Sequence, residues 1–204
     1  MTTLEKLIKH FERFPGIGSR QARRFAHHLL TEPAESVIEL SELISAIQST
    51  VKECAFCHRF HAVNGTGDVC TICADPKRDH TRLIVVERDS DMLAIERSGT
   101  YDGLYFILGG TVPLLDSEDI KKLRGTALKR RVTKQAGNGL AEIILAFSVN
   151  PDGENTSRYV ESILKDSVAT HTITLTHLGR GLSTGSELEY ADPETIKNAL
   201  SNRK

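Results

Sequence analysis

The chain has 204 residues, of which 39% are hydrophobic, and this composition supports one medium-sized core or two small ones. No apolar run approaches the roughly 20 residues of a membrane span, and no basic-then-apolar leader is evident, so we expect a soluble cytoplasmic protein with no membrane partner. The formal net charge is -1, but the charges are distributed unevenly along the chain. Residues 6–30 and 121–134 are strongly basic, whereas all charged residues in 31–47 are acidic.

The first fifty residues predict three helices joined by turns. In each helix, apolar residues recur every three or four positions, which is the spacing of one helix face. Ser19 is the expected N-cap of the second helix, which should end near Pro33. The three apolar stripes consist of Leu4, Leu7, Ile8 and Phe11, then Ala22, Phe25, Ala26 and Leu29, then Leu40, Leu43, Ile44 and Ile47.

The turn between the first two helices has the form of a helix-hairpin-helix DNA-binding element. Gly16 and Gly18 allow a tight turn and a close approach to another surface, while Ile17 packs back onto the helices. The following helix start offers free N–H groups to a phosphate, and Arg20 and Arg24 share one helix face beside it. The pattern favours sequence-independent DNA binding over the alternative, a plain connection between two packed helices.

All four cysteines fall in two C-x-x-C pairs, Cys54 with Cys57 and Cys70 with Cys73, separated by twelve residues. Two such pairs supply the four thiolates of a tetrahedral structural zinc site, and they leave no coordination position open for catalysis. Disulfides or ordinary buried thiols are the alternative. The short window and the absence of a secretion signal favour zinc.

From Arg82 onward the pattern changes to alternating strands and helices, which predicts a mostly parallel sheet with right-handed crossovers. One helix should begin at a cap at Asp89 or Ser90 and run to Arg97. A second should span 117–134 with a break near Gly125, and a third should span 154–165. The four expected strands are Leu83–Val86, Tyr105–Leu108, Ile143–Phe147 and Thr172–His177.

Acidic residues follow two of these strands, where a parallel sheet collects its ligands. Glu87 ends the first strand, and a turn at 150–154 carrying Asp152 and Glu154 follows the third. These acids suggest a Mg²⁺ site for phosphoryl transfer, but Asn150 stands where a strong metal turn would have a second aspartate. The sequence therefore disfavours a catalytic Mg²⁺ centre and offers no set of residues for covalent catalysis.

Several short motifs follow one another in a specific order along the chain. A P-G-I-G hairpin is followed by the four cysteines, by Val85-Val86-Glu87, by Leu108-Gly109-Gly110 and by a C-terminal segment with Leu188-Glu189-Tyr190. This order resembles the RecR family of recombination mediators, and the similarity covers essentially the whole chain. The resemblance implies an α+β multi-domain fold with an α/β Toprim domain that has no known catalytic activity. It also implies a ring-like homodimer or homotetramer that clamps DNA during repair and recombination.

The resemblance also implies partners and residue roles. RecO, and in many lineages RecF, would act with the chain so that RecA replaces single-stranded-DNA-binding protein at gaps. The basic pair that contacts DNA falls on Arg20 and Arg24, beside Gly16 and Gly18. The acids that contact RecO fall on Glu87 and Asp91. The zinc ligands fall on Cys54, Cys57, Cys70 and Cys73.

The expected domains are a helix-hairpin-helix domain at 1–52, a four-cysteine zinc finger at 53–79, a Toprim domain at 80–175 and a C-terminal helical segment at 176–204. Three features depart from the family pattern: a short turn after Asn150-Pro151, Phe106 in place of a histidine, and Ser183 in place of a proline. Two other functions remain open, a Mg²⁺-dependent Toprim nuclease or primase and a zinc-containing module that binds DNA structures without a mediator role.

Overall fold

The computed structural model describes residues 1–63, 67–113, 119–182, 185 and 187–203. The chain forms two compact units, Met1–Val51 and Lys52–Lys204. Within the described ranges, no helix is long and apolar enough to cross a bilayer, and the expected cytoplasmic location stays a prediction.

The first unit consists of three helices, as predicted: α1 spans Thr3–Phe11, α2 spans Ser19–Leu29 and α3 spans Ala34–Thr50. The α1–α2 contact buries Ala22 and Ala26 fully, and the rings of Phe11 and Phe25 meet edge to face at 5.9 Å. Small residues on α2 let the two helices approach closely.

The N-cap predicted for α2 was wrong by one residue. Gly18 is the N-cap, and its carbonyl accepts a 3.0 Å hydrogen bond from the N–H of Ala22, so Ser19 is already the first helical residue. The third apolar stripe is also not buried as a core stripe would be: Leu43, Ile44 and Ile47 are each more than half exposed, and no residue of α3 is buried.

The second unit begins with the cysteine segment. Its elements are short: β1 (Val51–Glu53) and β2 (Phe60–Ala62) form a two-stranded sheet, and α4 spans Thr71–Ala74. Segments this short bury little apolar surface of their own, so they depend on other contacts for stability.

The rest of the second unit is a four-stranded parallel sheet flanked by helices, as the alternating pattern predicted. The strands lie in the order β4-β3-β5-β6, and Val85 at the centre lies beside Phe106 and Leu145. The elements in chain order are β3 (Asp79–Val86), α5 (Asp89–Ser98), β4 (Gly103–Ile107), a 3₁₀ turn (Asp119–Lys122), α6 (Gly125–Ala136), β5 (Glu142–Ala146), α7 (Pro151–His171), β6 (Thr174–His177), a second 3₁₀ turn (Leu188–Tyr190) and α8 (Pro193–Ser201).

Alternate residues of β3 face two separate cores. Leu83 and Val85 pack in a cluster that includes Leu128 of α6 and Leu164 of α7. The intervening residues, Ile84 and Val86, pack on the other face with Met92 of α5 and with three of the cysteines, Cys54, Cys57 and Cys70. These three cysteines therefore pack on the sheet face opposite α6 and α7.

Two predicted helix starts were wrong. Arg88, not Asp89 or Ser90, is the N-cap of α5, and its N–H donates to Asp91 Oδ2 at 2.9 Å. The predicted turn at 150–154 is in fact the first turn of α7, because Asn150 Oδ1 caps the helix by accepting from the Gly153 N–H at 2.8 Å. The expected break near Gly125 is confirmed, whereas positions 117–118 and Ser183 lie outside the described residues.

Candidate metal centre and nucleic-acid interface

The four cysteine Sγ atoms lie within 4.8 Å of one another, although none forms a disulfide. Cys57 Sγ and Cys70 Sγ are 3.6 Å apart, close to the ~3.8 Å between two ligands of a tetrahedral site with Zn–S bonds of about 2.3 Å. Cys54, Cys57 and Cys70 are fully buried and Cys73 is partly so. The donor set fits a divalent metal such as zinc.

Crowding of the thiols changes their acidity. Hydrogen bonds from Cys57, Cys70 and Cys73 lower the pKa of Cys54, whereas hydrogen bonds with Cys54, Cys70 and Cys73 raise the pKa of Cys57. Four thiolates cannot coexist at this spacing without a cation to offset their repulsion. A metal ion would supply that charge and keep all four deprotonated.

Backbone hydrogen bonds hold the cysteine loops around this cluster. The N–H groups of Phe56 and Cys70 donate to Cys54 Sγ at 3.5 and 3.3 Å, the contacts that orient a thiolate ligand. The loop is also tied to the sheet, because the Ile107 N–H of β4 donates to the Cys57 carbonyl at 2.9 Å.

The hairpin between α1 and α2 has the backbone that the sequence requires. Gly16 adopts a φ of 75°, which favours glycine, and a Cβ at Gly16 or Gly18 would meet no atom of the described residues within 4 Å. The hairpin surface is therefore open to an approaching phosphate. Among the residues that the structure describes, no side chain caps the N-terminus of α2, so its first N–H groups face outward.

Arg20 and Arg24, predicted to contact DNA, are both exposed in the first two turns of α2. Arg24 Nη1 donates to Gln21 Oε1 at 3.4 Å, and within residues 1–63 neither arginine is ion-paired with an acid. An open groove beside the hairpin is lined by Gly16, Ile17, Gln21 and Arg24 among others. Free cations next to free helix N–H groups form a phosphate site without base readout.

The acids at the carboxyl ends of β3 and β5 do come together, in a polar cavity of about 320 Å³. Glu87 and Asp91, the predicted partner contacts, line it with Asn150 and Asp152, whereas Glu154 pairs with Arg180 at 3.1 Å instead. Glu87 is nearly buried, and its Oε1 accepts from Arg88 Nη2 at 2.6 Å.

One feature of the basic run was not predicted from the sequence. Phe56, inside the first C-x-x-C pair, lies against α6, with the Arg131 guanidinium carbon 4.9 Å and Lys134 Nζ 5.6 Å from its ring centroid. These residues are far apart along the chain, so only the fold brings them together. An aromatic residue between the two cysteines of a C-x-x-C pair was the available signal.

Family models match three stretches of the chain. Residues 81–176 match a model described as "Toprim domain", residues 4–47 match "RecR, helix-hairpin-helix" and residues 181–204 match "RecR, C-terminal". The first match covers the parallel sheet, so the predicted Toprim fold is confirmed. The second covers most of the first unit, including the hairpin.

Whole-chain relatives agree with these matches. A protein of Ruegeria pomeroyi is 38% identical over 201 residues, with 98% of this chain and 96% of the relative covered. A protein of a Synechococcus species is 37% identical, with 98% of this chain and 95% of the relative covered. A protein of Rhodopirellula baltica is 36% identical, with 97% of this chain and 94% of the relative covered. All three bear the name "Recombination protein RecR".

Proposed function

The chain belongs to the RecR family of recombination proteins, and from that premise we propose that it is a non-enzymatic DNA-binding mediator of DNA repair. It forms a ring or clamp that acts with RecO, and with RecF where present, to promote RecA loading at single-stranded gaps. The observation that carries the proposal is the open hairpin at the start of α2, where two exposed arginines, Arg20 and Arg24, are ion-paired with no acid in the described part of the chain.

DNA binding at this hairpin is sequence-independent, because the N–H groups, Arg20 and Arg24 reach phosphates and no base edge. With only a few phosphate contacts, one subunit binds weakly, with a dissociation constant of roughly micromolar or above at physiological salt. Several hairpins on one oligomer engage the same duplex at high effective concentration, which strengthens binding by about 10² or more.

The exposed face of α3 supports self-association. Leu40, Leu43, Ile44 and Ile47 follow helical spacing on this face and are 41 to 63% exposed. A contiguous apolar face on a surface helix is a typical protein contact. We assign it to a second copy of the chain, in a homodimer or homotetramer.

We propose that the four cysteines hold a structural Zn²⁺. All four positions are thiolates, so the metal has no open site for water and serves to hold the fold. Structural zinc contributes about 10–16 kcal/mol of binding free energy, which is ample to order β1, β2 and α4. This cysteine segment, at 53–79, would link a DNA-binding domain at 1–52 to a Toprim domain at 80–175, followed by a C-terminal segment at 176–204.

The acidic cavity is better suited to a partner than to Mg²⁺ catalysis. Arg88 neutralises Glu87, Arg180 neutralises Glu154, and Asn150 brings no charge and caps α7. Of the three acids that a Mg²⁺ site would use, only Asp152 is then left without a cation partner among the described residues, and one carboxylate holds Mg²⁺ weakly. We therefore propose Glu87 and Asp91 as contacts for RecO and not as the metal acids of a nuclease or primase.

The test of DNA binding is a salt series by fluorescence anisotropy with a labelled duplex, for the wild type and Arg20→Glu/Arg24→Glu. Losing two phosphate contacts should weaken binding strongly and reduce the slope of log K against log salt by about 1.8. Lys6→Glu/Lys9→Glu on the exposed surface of α1 is the matched control, with the same change of charge. Equal affinities of the wild type and the hairpin variant would refute the hairpin as the DNA contact.

The same samples test the enzymatic alternative. Duplex and primed substrates are incubated with Mg²⁺, and the products are separated on denaturing gels. We expect neither cleavage nor primer synthesis. A product that forms with the wild type and vanishes with Glu87→Ala would establish the enzyme instead.

A further inference from the structure

The cysteine segment and α6 meet at an aromatic ring surrounded by cations. Phe56 remains 38% exposed although Arg131 lies over its ring and Lys134 is close by. Both distances are within the ~6 Å at which a cation is attracted to an aromatic face. Arg131 Nε also donates to Gln135 Oε1 at 2.8 Å, which fixes the guanidinium above the ring.

The outer side of α6 is strongly basic. Lys129, Arg130 and Lys134 are exposed, and in the described parts of the chain none of the three is ion-paired with an acid. Residues 120–139 contain no aspartate or glutamate. Arg130 and Lys134 are four residues apart on one helix, so their side chains lie on the same side, roughly 5–6 Å apart at Cβ.

A cleft of about 150 Å³ opens where the ring and the helix meet. One wall is Phe56 with Leu104 and Cys73, and the other carries Arg131, Lys134 and Asn138. The cleft therefore offers an apolar surface on one side and hydrogen-bonding groups on the other.

We propose that Phe56 and the basic side of α6 form a binding site for single-stranded nucleic acid, distinct from the hairpin. Proteins that bind single strands combine a positively charged track for the backbone with aromatic side chains on which bases stack. Arg130 and Lys134 supply the track, and the part of the Phe56 ring that Arg131 leaves exposed supplies the stacking surface.

Two alternatives fit the surface less well. A duplex would satisfy the cations, but its bases are stacked on one another and present no free face to Phe56. An acidic protein segment would pair with Arg130 and Lys134, but its carboxylates would make no stacking contact with the exposed aromatic ring. An unpaired strand uses both features at once. The site does not include Arg20 or Arg24, so it can be tested independently of the proposed duplex contact.

The direct test uses a single-tryptophan reporter. The chain contains no tryptophan, so Phe56→Trp places one indole at the site, and its fluorescence can be excited apart from the tyrosines. Titration with oligo(dT) should quench this fluorescence saturably, because a base stacks on the indole. Duplex DNA and poly-glutamate are the comparison ligands. Equal quenching by either one, or none by oligo(dT), would overturn the proposal.

Affinity measurements complete the test. Phe56→Leu keeps an apolar side chain but removes the stacking face, and it should weaken oligo(dT) binding at least about fivefold. Arg130→Glu/Lys134→Glu should weaken it further, whereas Arg158→Glu/Lys165→Glu, with the same charge change at exposed positions of α7, should not. Metal content and thermal midpoints check that each variant folds.

The hairpin variant separates this proposal from the proposed function. When Arg20→Glu/Arg24→Glu is introduced into the Phe56→Trp protein, duplex binding should be lost and the fluorescence response to oligo(dT) should remain. Phe56→Leu and Arg130→Glu/Lys134→Glu should instead weaken oligo(dT) binding and leave duplex binding at the hairpin intact. If Phe56→Leu binds oligo(dT) as tightly as the wild type does, the single-strand site is refuted, whatever happens to duplex binding.

Discussion

Gly153 lies where the first turn of α7 packs against Ser148, in the connection that follows β5, and replacing it tests this packing. A Cβ at this position would lie 1.9 Å from the Ser148 carbonyl oxygen and 2.8 Å from its carbonyl carbon. Both distances fall well inside the ~3.5 Å of normal contact. Because the obstacle is backbone, no side-chain rotation can relieve it, and α7 must shift relative to β5.

The expected cost follows from these contacts. Overpacking costs about 1–3 kcal/mol, and a backbone clash belongs at the upper end of that range. Alanine is favoured over glycine in a helix by about 1 kcal/mol, which offsets part of the cost. The Gly153→Ala variant should therefore be destabilised by about 2 kcal/mol, and its thermal midpoint should fall by about 4–8 °C.

Differential scanning calorimetry measures this shift, and Gly137→Ala is the matched control. Gly137 caps α6 with a φ of -66°, and its added Cβ would be 3.8 Å from the nearest atom, the Lys134 carbonyl oxygen. This control should be neutral or stabilised by up to about 1 kcal/mol. If Gly153→Ala unfolds at or above the wild-type temperature, the first turn of α7 does not pack against the Ser148 backbone as described.

Three further predictions concern metal, pH and assembly. The purified chain should contain about one zinc per subunit, and a strong chelator should lower its thermal midpoint by at least about 10 °C; no change on chelation would contradict a structural metal. Hydrogen bonds from Thr81 and then Arg82 lower the pKa of Asp79 to about 2, below the ~3.9 of an unfolded chain. The stability that Asp79 contributes should therefore be complete above about pH 4 and be lost as the pH falls toward 2. In urea titrations at neutral pH, the free energy of unfolding of Asp79→Asn should then be lower than that of the wild type, and this difference should shrink below pH 4. A difference that stays constant with pH would rule out this linkage. Finally, Leu43→Glu/Ile47→Glu should reduce the molar mass in light scattering to that of one subunit, and an unchanged mass would mean that α3 is not the interface.

The cysteine cluster could be predicted from the sequence because its ligands are local. Each C-x-x-C pair brings two thiols together by its own turn, and only the meeting of the two pairs required the fold. The strands of the parallel sheet were similarly predictable, since buried parallel strands appear as short unbroken apolar runs. Their bounds differed by one to four residues: β3, β4 and β5 begin earlier than predicted, whereas β6 begins later.

The start of α7 was missed although its signal was present. Asn150 followed by Pro151 is a typical N-cap and first helical residue, but an Asn-Pro-Asp-Gly sequence also has the composition of a turn. The hydrogen bond from the Gly153 N–H to Asn150 decides between the two. As a result, the acids lie in a helical turn and not in a metal-binding loop.

Other features could not be predicted from local patterns. The α3 stripe has helical spacing, but spacing reveals an apolar face and not what covers it. The contact between Phe56 and Arg131 joins segments that are distant in the chain and meet only through the sheet that both pack against. Such contacts depend on tertiary structure, which periodicity does not report.

In the proposed function, the chain promotes recombination by binding DNA and makes no chemical change in the DNA. The most direct measurement follows RecA assembly on gapped DNA covered with single-stranded-DNA-binding protein, in the presence of RecO, with the wild type or Arg20→Glu/Arg24→Glu. We predict that the wild type accelerates RecA assembly and leaves the DNA strands intact, and that the hairpin variant does not accelerate it. The proposal would be refuted if RecA assembled at the same rate with and without the wild-type chain. It would also be refuted if the wild type and the hairpin variant gave the same rate.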